Sequence, residues 1–296
     1  PSRGEPIRVW IMHESELCEE QALPSGAYFG LQFPTLCSHQ SPLMLVDRVW
    51  WVAEATRAAL SAYDFGNFRV VRGFADTVAH LPTSATQQAR QLVTSELGVP
   101  VSRAAFVVSV VGTVCERKRQ EWIVSAAAQL VTDRPSANIT VLIFGLSKFR
   151  YGKKHSDDAH KYQAKLLEAV RKDPRLKGRV FLLPATPRVM HYVPAADLHV
   201  SASTHEAFPL NTLEAMSLGV PVLATPAYGT EEQFRGEDGL LLQNLDSFAE
   251  FYSTLLWAYD HRGPALEEIG ARGRKTFETH HSTLAAVPRL KAAVED

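Results

Sequence analysis

The chain of 296 residues is 46% hydrophobic and 21% charged, and its 31 lysines and arginines face 32 aspartates and glutamates. That length implies about two domains and a sizeable buried core. A net charge of −1 excludes a general nucleic-acid binder or a polybasic membrane anchor, since each needs a surplus of cations. Three cysteines, Cys18, Cys37 and Cys115, form no Cys-x-x-Cys or Cys/His pattern. Neither a disulfide framework nor a zinc site is implied, and a reducing, cytoplasmic setting is expected. The longest apolar run, Ala104 to Val111, falls far short of the roughly 20 residues that span a bilayer, which leaves only peripheral membrane contact open. The opening Pro1-Ser-Arg-Gly-Glu-Pro, without an initiator Met or an apolar signal region, is expected of a processed chain or a portion of a longer one.

In chain order, the first hundred residues predict strands at Ile7 to Met12, Val49 to Val52 and Phe68 to Val71, separated by a stretch rich in Pro and Gly. A polar helix over Thr86 to Leu97 stops at Gly98-Val99-Pro100, which punctuates a domain boundary. From Phe106 onward, short apolar runs alternate with amphipathic stretches, the pattern of βα units around a parallel sheet. Buried strands are predicted at Phe106 to Val111, Ile139 to Phe144, Arg179 to Leu183, Leu198 to Ser201, Val220 to Ala224 and Gly239 to Leu242. Helices are predicted at Gln120 to Thr132, Ala159 to Arg171, Val189 to Tyr192 with its continuation, Asn211 to Leu218, and Asp246 to Tyr259 behind an Asp cap. Six strands in that span make one complete doubly wound domain.

The chemistry concentrates where these strands end. After Ser201 a loop carries Glu206, and a helix opening near Asn211 places Glu214 in its first turn. Free amides at Leu210, Asn211 and Thr212, aided by the helix dipole, favour an anion such as a diphosphate. One glutamate can accept hydrogen bonds from a ribose diol and the other from sugar hydroxyls. Taken alone, either has a plainer use, since a first-turn Glu complements the dipole and a loop acid is simply solvated. Upstream, Gly112 allows close backbone approach, and Lys118 lies in a basic cluster, Arg117-Lys-Arg, at the helix end that cations disfavour unless an anion compensates them. Downstream, Gly229 and Thr230 leave another strand at the same edge.

The segments Val111-Gly112-Thr-Val-Cys-Glu-Arg-Lys118, Ala195-Ala-Asp197-Leu-His-Val-Ser201, Glu206-Ala-Phe-Pro-Leu-Asn-Thr-Leu-Glu214-Ala-Met, Gly219-Val-Pro-Val and Gly229-Thr-Glu-Glu resemble the GT4 family of retaining glycosyltransferases in order and spacing. The resemblance covers about residues 105–245 and implies an α/β, GT-B-like fold. It further implies a doubly wound donor domain at 101–280, a partial Rossmann-like acceptor-side domain at 1–100 and a carboxyl-terminal tail at 281–296. By that resemblance Lys118 contacts the diphosphate of a UDP- or GDP-linked sugar, Glu206 the sugar, Glu214 the ribose, and backbone near Ala185 and Thr186 the base. Gly112, Thr113, Arg117, Leu210, Asn211, Thr212 and Gly229 complete the implied donor site. Val9-Trp-Ile-Met-His13-Glu14 is similar to a late acceptor-domain strand, which makes His13 a third candidate catalytic residue beside Glu206 and Lys118. Three departures stand out: Thr113 replaces an Arg common in relatives, so that one diphosphate cation is missing unless Arg117 or Arg119 substitutes; Pro209 replaces a common Gly; and the acceptor-side domain is expected to lack its first strands, which bears on acceptor binding and turnover.

The expected activity is sugar transfer with retention to a hydroxyl of a glycan, lipid or small molecule, with no metal site and no cofactor beyond the donor. A nucleotide-sugar-binding fragment or degenerate homologue without transferase activity is the alternative. A GT-B-fold sugar-nucleotide epimerase is a further one.

Overall fold

The computed structural model describes residues 9–12, 48–51, 68–70, 74–75, 84–146 and 153–295 of the chain. Near the amino terminus β1 (Val9–Met12), β2 (Arg48–Trp51) and β3 (Phe68–Val70) pair in parallel in that order. His13 and its neighbour Glu14 lie outside the described residues.

The larger sheet contains β4 (Phe106–Val111), β5 (Ile139–Leu146), β6 (Val180–Pro184), β7 (Leu198–Ser201), β8 (Val222–Ala224) and β9 (Leu240–Leu241). All are parallel, in the order β6-β5-β4-β7-β8-β9. The connections step outward from β4 to β6 and then cross back to β7, so the order reverses between β4 and β7. In open sheets of this kind a crevice forms at that point, beyond the carboxyl ends of the strands. Phe106, Val108 and Val110 enter one buried layer and Val107 the other. Side chains alternate across the sheet and both faces are covered, which is why the strands read as nearly continuous apolar runs.

The helices are α1 (Ser84–Leu97), α2 (Gln120–Asp133), α3 (Lys153–Lys172), α4 (Val189–Tyr192), α5 (Leu210–Ser217), α6 (Phe248–Asp260), α7 (Pro264–Thr276) and α8 (Thr283–Glu295). Three expectations are corrected. First, α1 falls on the near side of the boundary expected at residue 100, yet Ala89 and Val93 are buried in the larger unit's core. The Arg90 guanidinium ties it there, donating to the Asp197 carboxylate (2.7 Å) and to the Ala195 and Arg103 carbonyls (3.0 and 2.9 Å). Second, α6 is capped by Ser247, whose hydroxyl accepts from the Glu250 amide at 3.2 Å, while Asp246 pairs with Arg119. Third, the expected tail is ordered structure. His281 and Ala286 are fully buried, and Ser282 bridges to Ala75.

Candidate active site

The site begins where β4 and β5 end. Gly112 and Gly145 both hold positive φ, 142° and 144°, and a Cβ on Gly145 would lie 1.8 Å from the Gly112 carbonyl oxygen. Only glycine permits this contact between two backbones. The Gly112 amide donates to the Phe144 carbonyl at 3.0 Å, and the Val114 amide to that of Gly145 at 3.2 Å. A Cβ on Gly112 would come within 3.4 Å of the Lys118 side chain. The lysine ammonium therefore lies over the turn that leaves β4, delivered by the 3₁₀ turn Glu116–Lys118 that precedes α2.

Across the switch point, the loop after β7 presents Glu206. A single oxygen of its carboxylate, Oε1, accepts from Lys118 Nζ, from Arg117 Nη1 at 3.0 Å and from Ser203 Oγ at 2.8 Å. Arg117 Nη1 also donates to the His205 carbonyl (2.6 Å), and the Thr204 amide to the Arg117 carbonyl (2.8 Å), so the two loops are laced together. Burial alone would raise the Glu206 carboxyl, but the Lys118 and Arg117 charges and the Lys118 and Ser203 hydrogen bonds outweigh it and hold the group below its ordinary range. His205, buried with its ring tilted against that of Tyr228 at 4.0 Å between centroids, is lowered to about 4 by burial and the Arg117 charge. Sequence reasoning gave Lys118 and Glu206 separate duties, whereas the fold places them in one ion pair.

Helix α5 opens beside this cluster. Its N-cap is Pro209, which supplies no capping side chain, so the first-turn amides of Leu210, Asn211 and Thr212 receive no such partner. The Asn211 side chain turns back and donates to the Val111 carbonyl at 2.9 Å, fixing the helix tip to the Gly112 turn and so to the neighbourhood of Lys118. Helix α5 begins at Leu210, one residue earlier than expected, and Glu214 is its fifth residue, so no acid lies in the first turn. Complementing the helix dipole therefore does not account for Glu214. The carboxylate is half-buried, burial raises its pKa, and it takes no hydrogen bond or ion pair among the described residues.

The remaining expected residues divide. Ala185 and Thr186 follow β6 at the same edge; the Ala185 amide donates to the Leu146 carbonyl at 3.0 Å, next to Gly145. Thr113 is exposed. The Gly229 N–H donates to the Glu206 carbonyl at 3.1 Å, so its amide supports the loop that carries Glu206. Of the two arginines able to replace the missing cation, Arg117 faces the site. Arg119 instead reaches the Leu245 carbonyl at 2.6 Å and lies over the Trp122 ring. Sequence reasoning missed Ser203, Ser109 and His199. The last two were visible as polar breaks in apolar strands: the Ser109 hydroxyl lies 3.0 Å from His199 Nδ1 in the core between β4 and β7.

Residues 105–260, more than half of the chain, match the family described as Glycosyl transferases group 1. The D-inositol 3-phosphate glycosyltransferase of Corynebacterium urealyticum is 31% identical over 185 residues, 61% of this chain and 41% of that protein. The Escherichia coli UDP-Gal:alpha-D-GlcNAc-diphosphoundecaprenol alpha-1,3-galactosyltransferase is 27% identical over 151 residues, 50% and 36% of the two chains. The aligned part thus spans about two fifths of these curated relatives. Among solved structures, Anabaena HepE in complex with UDP and glucose superposes with a TM-score of 0.73 at 18% identity, covering 97% of this chain and 71% of its own. The sucrose-phosphate synthase of Thermosynechococcus elongatus gives 0.67 at 21%, covering 86% and 59%. No helix among the described residues is long and apolar enough to cross a membrane. The chain belongs to the group 1 glycosyltransferase family, and its larger unit has the α/β architecture of the GT-B fold.

Proposed function

We propose that the larger unit is the donor site of a retaining, GT4-type glycosyltransferase that takes a sugar from a nucleoside diphosphate and passes it to a hydroxyl acceptor. The observation that carries this reading is the convergence of Lys118 and Arg117 on Glu206 at the β4/β7 switch point, beside the α5 tip that no side chain caps. Two cations and a row of helix amides there suit a diphosphate, and a carboxylate held ionised among them suits sugar hydroxyls. The complex of HepE with UDP and glucose supports the same ligand class.

In the reaction proposed, the bond from the anomeric carbon to the diphosphate breaks as the acceptor oxygen bonds to that carbon from the same face. The acceptor's proton leaves on the departing diphosphate. Lys118, Arg117 and the α5 amides stabilise the charge that builds on the leaving group, and these groups, preorganised before reaction, carry most of the protein's contribution. Glu206 orients the sugar, and Glu214, lacking a partner of its own, receives the ribose hydroxyls. Backbone near Ala185 and Thr186 meets the base.

Calorimetric titration with UDP and GDP tests binding, and product analysis with labelled donors tests transfer. Lys118→Ala is expected to weaken nucleotide binding and to lower transfer by about a hundredfold, the scale for loss of one charge-stabilising donor. Unchanged binding and transfer in that variant would overturn the assignment. Binding without turnover on any hydroxyl acceptor would leave a nucleotide-sugar-binding unit instead of an enzyme.

A further inference from the structure

His199 is fully buried in β7 between Leu198 and Val200, a place where an apolar side chain would cost less to desolvate. Its two ring nitrogens are both engaged. Nδ1 lies 3.0 Å from Ser109 Oγ on β4, and Nε2 lies 3.4 Å from Asn211 Nδ2 on α5. The same Asn211 nitrogen donates to the Val111 carbonyl at 2.9 Å. An amide nitrogen only donates, so Nε2 accepts and the ring proton resides on Nδ1, directed at Ser109. Burial, with the Lys118 charge adding to it, holds the ring's pKa at about 3, so the imidazole stays neutral.

The chain Ser109–His199–Asn211–Val111 therefore crosses the point where the strand order reverses and joins β4, β7 and the tip of α5. A buried polar network with its members paired holds one geometry more firmly than apolar packing does. Asn211 contributes its backbone amide to the helix tip, and its side chain is the member of this hydrogen-bonded network that reaches that tip. We propose that His199 is a positioning residue of the donor site, acting through Asn211 to hold the first amides of α5 against the Gly112 turn in the arrangement a diphosphate requires. This inference rests on the donor-site reading above.

The test uses the full chain and four variants, His199→Phe, His199→Gln, Asn211→Ala and the His199→Phe/Asn211→Ala double. UDP and GDP affinity is measured by calorimetry and melting temperature separately. Phe keeps a ring of similar shape without an acceptor for Asn211, whereas Gln places an amide oxygen there. The expected result is a loss of about tenfold in affinity for folded His199→Phe and for Asn211→Ala, within the range of coupled neighbours, with no further loss in the double. His199→Gln is expected to recover most of the wild-type affinity. Wild-type affinity in folded His199→Phe, multiplied losses in the double, or a Gln variant as weak as Phe would overturn the inference while the donor site stands. Should His199→Phe fail to fold, Asn211→Ala decides, and wild-type affinity there overturns it. If the unaltered chain binds neither nucleotide, the donor-site reading falls and this inference with it.

Discussion

Glu206→Gln is the most discriminating single change, because it should move binding and transfer in opposite directions. The carboxylate competes with any incoming diphosphate for the same two cations. With an effective dielectric near 20, a unit pair at the Arg117–Glu206 separation of 3.0 Å has a ceiling of about 5.5 kcal/mol. Arg117 keeps a third of its side-chain surface in solvent and Glu206 is desolvated, so the net value falls to about 1–2 kcal/mol per cation. Glutamine keeps the shape and an oxygen that can still accept hydrogen bonds, but it removes the negative charge that holds Lys118 and Arg117. Affinity for UDP or GDP should therefore rise by about tenfold, since 1.4 kcal/mol is one decade. Sugar transfer should drop by about two orders of magnitude, because the group that orients the sugar is gone. Calorimetry on nucleoside diphosphates that carry no donor sugar, paired with a transfer assay, reads both. Unchanged or weaker nucleotide binding would refute the competition on which the reasoning depends.

Three further outcomes are expected. Glu214→Ala should weaken UDP binding by about tenfold, the worth of a charged hydrogen bond, while inorganic pyrophosphate binds as before; equal losses for both would remove the ribose role. Gly145→Ala drives a Cβ into the Gly112 carbonyl and should destabilise the fold by about 3 kcal/mol or more in thermal unfolding. Gly178→Ala, at φ +70° with nothing within 4 Å, should cost only about 1 kcal/mol, so similar losses would contradict the steric account. His199, His205 and His281 are held near 3, 4 and 4 by burial, below an ordinary 6.5. The unfolded chain then binds more protons between those values, so stability should fall as pH drops below about 6.5, with a ceiling of about 1.4 kcal/mol per unit per histidine. Denaturant midpoints that stay level or rise between pH 7 and pH 5 would contradict this.

Much of the sheet was legible because its strands carry their own boundaries. Phe106 to Val111 and Leu198 to Ser201 are apolar runs buried on both faces, and both match the strands observed. Helix α7 was hidden by Gly270 and Gly273, which lower helix propensity. The fold explains both: a Cβ at 270 would lie 2.1 Å from the Gly219 carbonyl and one at 273 would lie 2.8 Å from that of Asp238. Pairing across the switch point was not legible, because Lys118 and Glu206 are 88 positions apart and local spacing carries no record of which loops face one another. Glu214 shifted from a first-turn to a second-turn residue through a helix start one position earlier, a scale of error usual at helix ends.

A crystal structure of this chain soaked with UDP or GDP would locate the diphosphate directly. The account predicts its oxygens within hydrogen-bond distance of Lys118 Nζ and of the first amides of α5, with Glu206 parted from the lysine and the ribose at Glu214. A diphosphate bound at any other edge of the sheet, with the Lys118–Glu206 pair intact, would contradict it.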